Sequence, residues 1–227
     1  MCSPQLWFSV LIDAMDTATL PGKSWSAIRR EAQVYGRQPP PNAYDRAVGW
    51  YADAAWEVRY FAVLVLGGLA AADARALAFL YERCGDDPSW QVNEALAMAF
   101  DDYCAAIGYE QALPTIRQWL GAPRPNLHRA VSEGLRPWTA SKRALFARDP
   151  QLAIDLLGTL RDDESRYVQE SVGNALRDIG RKHGDLVIAA LRAWVAEAPI
   201  SKARRAIARF ALKHAVKDDP SLRELFG

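Results

Sequence analysis

A helical pattern that returns at a nearly fixed interval constrains this chain more than any other feature. Five segments align without gaps: EVRYFAVLVLGGL (57–69), QVNEALAMAFDDY (91–103), NLHRAVSEGLRPW (126–138), YVQESVGNALRDI (167–179) and KARRAIARFALKH (202–214). Each opens on a polar or aromatic step, then carries small and apolar residues at matching offsets. Their fourth residues are Tyr60, Glu94, Arg129, Glu170 and Arg205, spaced 34 to 41 residues apart. That is the period range of two-helix repeats. Further amphipathic stretches, such as DARALAFLYERC, EQALPTIRQWL, PQLAIDLLGTL and DLVIAALRAWV, are apolar at i, i+3, i+4 and i+7. No sustained period-2 run and no Asn-Gly or Asp-Gly turn argues for strands.

A helix pair of this size cannot bury its apolar face alone and must stack on its neighbours. The expected fold is therefore all-α, an α-solenoid of HEAT-like helical repeats, with a globular all-α bundle as the alternative. Ala95, Ala130, Ser171, Gly173 and Ala206 supply the small residues that close helix contacts need. Helix starts are marked by Asp87-Pro88, Asp149-Pro150 and Ser201. YGRQPPPNAY (35–44) reads as a connector. The organisation expected is one domain over 1–227: N-terminal helices and connector in 1–45, about five repeats in 46–217, and a tail in 218–227.

Several function classes lose support at once. Cys2, Cys84 and Cys104 form neither a disulfide framework nor a CxxC metal knuckle, which fits a reducing, cytoplasmic setting. The N-terminal stretch lacks a basic n-region and is broken by Asp13 and Asp16, so it reads as a short helix rather than a signal peptide. No apolar run is long enough to span a bilayer. No Walker loop, GxSxG or GxGxxG is present. His128, His183 and His214 lack metal-ligand spacing and have no evident acidic partner. Neither a metal nor a cofactor is expected.

Charge is where the chain departs from neutrality. The net charge is +1, but residues 1–120 hold 9 Lys+Arg against 14 Asp+Glu, and residues 121–227 hold 19 against 13. A basic half can bind a polyanion; chance segregation of surface charge is the bland alternative. The aligned helices would line one surface. It would offer Trp56, Glu57 and Arg59, then Trp90 and Glu94, then Arg129, Arg136 and Trp138. After these come Arg166, Tyr167, Gln169, Asn174 and Arg177, and finally Lys202, Arg204, Arg205 and Arg209. Trp90 and Glu94 are one turn apart on one face. Each residue also has a structural reading: Glu133 could pair with Arg129, Glu170 and Asp178 with neighbouring arginines, and Trp119 and Trp194 read as core.

NLHRAVSEGLRPW, DDESRYVQESVGNALRDIGRKHGDLVIAALRAW and IARFALKHAVK resemble the HEAT-like repeat DNA alkylation repair family, the AlkC/AlkD superfamily of DNA glycosylases. SEGLRPW and YVQESVGNALRDI are more similar to the AlkC-type branch. The likeness runs from about Trp56 to Lys217. It implies that a carboxylate, an aromatic one turn before it and an arginine on the next repeat gather around a damaged nucleotide. Here those positions are Glu94, Trp90 and Arg129. Arg136, Trp138, Arg166, Tyr167, Gln169, Asn174, Arg177, Lys202, Arg205 and Arg209 would contact DNA. Asn174 stands where the AlkD-type branch has a Trp.

The activity implied is excision of cationic N3- or N7-alkylated purines from double-stranded DNA, by a monomer without cofactor or obligate protein partner. Loss of the Trp wall leaves a second expectation, a non-catalytic binder of damaged or branched DNA. The solenoid alone would suggest a third, a protein-interaction scaffold.

Overall fold

The computed structural model describes residues 15–137, 149–199 and 201–227. Trp138 and residues 1–14, which hold most of the expected N-terminal helix, lie outside the described residues. The described residues are helical with no strand, and they fall into two compact units, one ending at Ile107 and one beginning at Gly108.

The first unit contains α1 (Trp25–Arg37), α2 (Ala43–Tyr51), α3 (Trp56–Leu69), α4 (Ala74–Glu82) and α5 (Trp90–Ile107). Ser24 caps α1 by accepting the Ala27 amide. The Pro-rich connector occupies the break between α1 and α2, where proline cannot continue a helix. α3 is apolar nearly all round, with a buried run from Tyr60 to Gly67, so it takes the middle of the unit against α1, α2, α4 and α5. A Cβ at Gly67 would stand 2.5 Å from Ala99, so only glycine lets α3 and α5 approach this closely.

The second unit contains α6 (Tyr109–Leu120), α7 (Pro125–Gly134), α8 (Pro150–Gly158), α9 (Arg166–Ala196) and α10 (Lys202–Ala211). Asp149 caps α8 ahead of Pro150, and Ser201 caps α10, as their residue types dictate. Asp87 acts one step early: it accepts the Ser89 amide in a turn before α5 starts at Trp90. The two helices expected over 167–194 are continuous in α9 except at His183, whose backbone leaves the helical region. Gly173 is the small residue that stacking requires, since a Cβ there would lie 2.3 Å from the Phe210 Cβ on α10.

A polar tie recurs at the third position of every aligned segment. Arg59 donates to the Asp53 carbonyl, Asn93 to that of Asp87 and Gln169 to that of Asp163, each six residues upstream. The His128 ring faces the Ala122 carbonyl in the same way, and Arg204 reaches the Glu197 carbonyl seven residues back. Three of the five also hold a loop carboxylate: Arg59 with Asp87 at 2.9 Å, His128 with Asp163 at 2.6 Å, and Arg204 with Asp162 at 2.7 Å. The adjacent aspartates Asp162 and Asp163 thereby fasten one loop to helices from two different repeats. His128 does have an acidic partner, contrary to expectation, because Asp163 lies 35 residues away and no local spacing reveals it. These repeating ties, with Ser132 hydrogen-bonded to Ser171 at 2.7 Å between α7 and α9, make the fold one of HEAT-like helical repeats rather than an irregular bundle.

Candidate nucleic-acid interface

In the first unit the starts of α1, α3 and α5 bring four aromatic rings together. Trp25 stands 5.0 Å from Trp90, 6.1 Å from Trp56 and 5.9 Å from Tyr60, centroid to centroid, in tilted or edge-on arrangements. Tyr60 is the buried floor. Trp90 is the exposed ring, with 56% of its surface open to solvent. Such exposure is unusual for so large an apolar side chain whose neighbours are packed.

Glu94 follows one turn along α5 and is half-buried. Its charge reaches Tyr60, whose hydroxyl pKa is pushed up mainly by burial; Arg29 opposes that rise and Glu94 adds to it. The Tyr60 hydroxyl lies 3.6 Å from the Met98 sulfur. The cluster therefore presents an aromatic face with a carboxylate one turn away and an arginine nearby on α1. It suits a flat, cationic guest: the ring face and the carboxylate both attract positive charge. Trp25 was not anticipated. It sits in the segment expected to hold N-terminal helices, which carries no repeat motif to mark it.

The second unit distributes its predicted residues differently. Arg129 is 5% exposed, and its guanidinium lies 4.4 Å over the ring of half-buried Tyr167. Arg136 was expected on the DNA-facing surface. Its side chain is closed instead into an ion network, 2.8 Å from both Glu133 and Asp178, which ties α7 to α9. Glu133 takes Arg136 and Ser171 rather than serving Arg129 alone. Gln169 is likewise committed, by its tie to the Asp163 carbonyl. The causes differ: the Asp178 partner of Arg136 lies 42 residues away on another repeat, whereas Gln169 is taken by a backbone carbonyl six residues upstream, which no side-chain pattern marks.

Arg166 is exposed and pairs with Glu170 at 3.0 Å across one turn. Asn174 and Arg177 are half-buried. Lys202, Arg205 and Arg209 are exposed on α10, and Arg209 lies 5.9 Å from the Phe226 ring. Trp119 and Trp194 are core, as their positions suggest. Among the described residues no group of three or more His, Cys, Asp or Glu is placed to hold a metal ion, and no helix is long and apolar enough to cross a membrane.

Residues 19–218 match the family described as DNA alkylation repair enzyme. Among solved structures the chain is similar to AlkD2 from Streptococcus mutans, with 32% identity, a TM-score of 0.77, and coverage of 93% of this chain and 99% of that one. It also resembles Pseudomonas fluorescens alkylpurine DNA glycosylase AlkC bound to DNA containing an abasic site analog. That match has 24% identity and a TM-score of 0.66, over 88% of this chain and 55% of AlkC, and it speaks to the fold. Identity is thus higher to AlkD2 than to AlkC. Among curated proteins, YhaZ of Bacillus subtilis (strain 168) is 31% identical over 126 residues, 52% of this chain. The match spans about a third of that relative's length, 33%.

Proposed function

The chain belongs to the DNA alkylation repair enzyme family, and from that premise we propose that it is a DNA glycosylase excising cationic N3- or N7-alkylated purines from double-stranded DNA. One observation carries the reading. Trp90, 56% exposed on a four-ring cluster, has the Glu94 carboxylate one turn along the same helix.

Alkylation at N3 or N7 leaves the purine positively charged, so it departs with the electron pair of the glycosidic bond as a neutral base. The sugar then carries oxocarbenium character. Glu94 stabilises that charge and orients the water whose oxygen bonds to C1′, and the water's proton passes to the carboxylate or to solvent. The Trp90 face holds the cationic base or the sugar by cation–π attraction. Arg129, stacked on Tyr167 and buried, offers little surface to a phosphate, so we assign it the positioning of Tyr167. Backbone contacts fall to the exposed Arg166, Lys202, Arg205 and Arg209, which fix the register of the duplex without reading its sequence.

The test is release of methylated purine from methylated duplex DNA by the wild-type protein and by Glu94→Gln. Release by the wild type with a loss of about 100-fold in the variant is expected, the scale of removing one preorganised electrostatic group. No release by the wild type, or equal release by both, rejects the proposal.

A second reading is favoured by Asn174, half-buried where the resemblance places an AlkD-type Trp. On that reading the protein binds damaged or branched DNA without cutting it. Salt-dependent DNA binding with no base release over a panel of alkylated duplexes would select it.

A further inference from the structure

The aromatic platform does not end at Glu94. Along α1, Trp25 is followed on the same face by Arg29, Gln33 and Arg37 at intervals of four residues. Along α3, Tyr60 leads to Leu64 and then to Gly67 and Gly68; along α5, Glu94 leads to Met98 and Asp102. The three faces enclose a groove of about 460 Å³ with Arg29, Gln33 and Arg37 on one rim, Gly67 and Gly68 in the floor and Asp102 on the far side.

The lining of the groove combines two arginines with one carboxylate. Its floor is open at Gly68, where a Cβ would meet nothing within 4 Å, so a guest can come close; the side-chain space of Gly67 is taken by Ala99. Arg29 and Arg37 are exposed and make no ion pair or hydrogen bond among the described residues. They stand eight residues apart, about 12 Å along the helix axis, which is too far for one small anion and suits successive charges of a polymer. Asp102 is the one carboxylate among the lining residues, so the negative chain would run along the α1 rim. The overall balance of the N-terminal half hides this feature. Residues 1–120 carry a net −5, yet residues 23–37 hold four Lys+Arg against one acid.

We propose that this groove is a nucleic-acid backbone site. It would hold the sugar-phosphate strand leading away from the Trp90 platform, with Arg29 and Arg37 each neutralising a phosphate. The proposal rests on the reading of the protein as one that acts on DNA.

It is tested with the full chain and a labelled, undamaged duplex, titrated at several salt concentrations. Each neutralised phosphate contributes about 0.9 to the slope of log affinity against log salt. Arg29→Gln and Arg37→Gln should each lower the slope by about 0.9, and the double variant by about twice that. Arg30→Gln, exposed on the same helix but outside the groove, should leave it unchanged. Gly68→Leu puts a side chain where a Cβ meets nothing within 4 Å. It should weaken binding several-fold with the slope intact, and its thermal melt shows whether the fold is kept. An unchanged slope in the double variant, or an equal loss from Arg30→Gln, overturns the proposal. A wild type that binds no DNA overturns it together with the glycosylase reading. Intact base release with an unchanged slope in the double variant overturns the groove alone.

Discussion

Trp90 and Trp119 show how much a single environment decides. Both are tryptophans on amphipathic helices, but the first is 56% exposed and the second 1%. Truncating a fully buried tryptophan removes its transfer energy and leaves a cavity, a cost of about 3–5 kcal/mol. Trp119→Ala should therefore destabilise the fold by that amount in urea titrations. Trp90→Ala should cost less than about 1.5 kcal/mol of stability, since much of its ring never left water. Its loss should fall on DNA: stacking on an aromatic side chain is worth about 1–3 kcal/mol per base, a loss of roughly 5- to 150-fold in lesion binding. Equal effects of the two substitutions on stability would remove the distinction. The sequence made Trp90 a candidate through its spacing from Glu94 and made Trp119 core through its place on an intervening helix. It could not show that Arg136 turns inward, because Asp178 lies 42 residues away and belongs to another repeat.

At the scale of elements, helix periodicity was legible because it is local, whereas the ties between helices were not. α10 illustrates both. Ser201 as its cap and its apolar stripe are visible in the sequence, but the grip of Arg204 on Asp162 spans 42 residues. That grip holds the Asp162 carboxyl below the ordinary carboxylate range, chiefly through the hydrogen bonds from the guanidinium. A carboxyl lowered in the folded state stabilises the protein above its unfolded pKa, about 4, and loses that contribution as pH falls through the lowered folded value. Asp162 is about half exposed, 47%, so screening reduces the size of the effect. Arg204→Met should accordingly lower the melting temperature at neutral pH, and the gap from wild type should narrow as pH drops below about 4. A gap that stays constant down to pH 2 would assign the whole effect to the bonds Arg204 makes with the Trp194 and Glu197 carbonyls.

For the molecule as a whole, the repeat period was enough to give the fold class, and the charge split, −5 against +6, pointed to a polyanion. What net charge conceals is position: the arginines of α1 sit in the acidic half, and several of the basic half are consumed internally. The exposed face of α10 carries three cations, Lys202, Arg205 and Arg209. Changing Lys202, Arg205 and Arg209 together to Gln should lower the salt slope of DNA binding by up to about 3, with little effect on unfolding. A slope unchanged in that variant would move the phosphate contacts elsewhere.

The tie at the third position of each repeat has a consequence for how such a chain can change. It is made by Arg, Asn, His, Gln and Arg in turn, so side chains of different chemistry serve the same tie to a carbonyl six or seven residues upstream, three of them holding a loop carboxylate as well. The neighbouring fourth position, Tyr60, Glu94, Arg129, Glu170 and Arg205, is released from that duty. One column works as a ruler that keeps the helices in step; in the next, Tyr60 and Arg129 are buried, and the outward-facing members are Glu170 and Arg205. Exchanges at those two outward-facing positions would alter the surface offered to DNA while the scaffold's frame stays where it is.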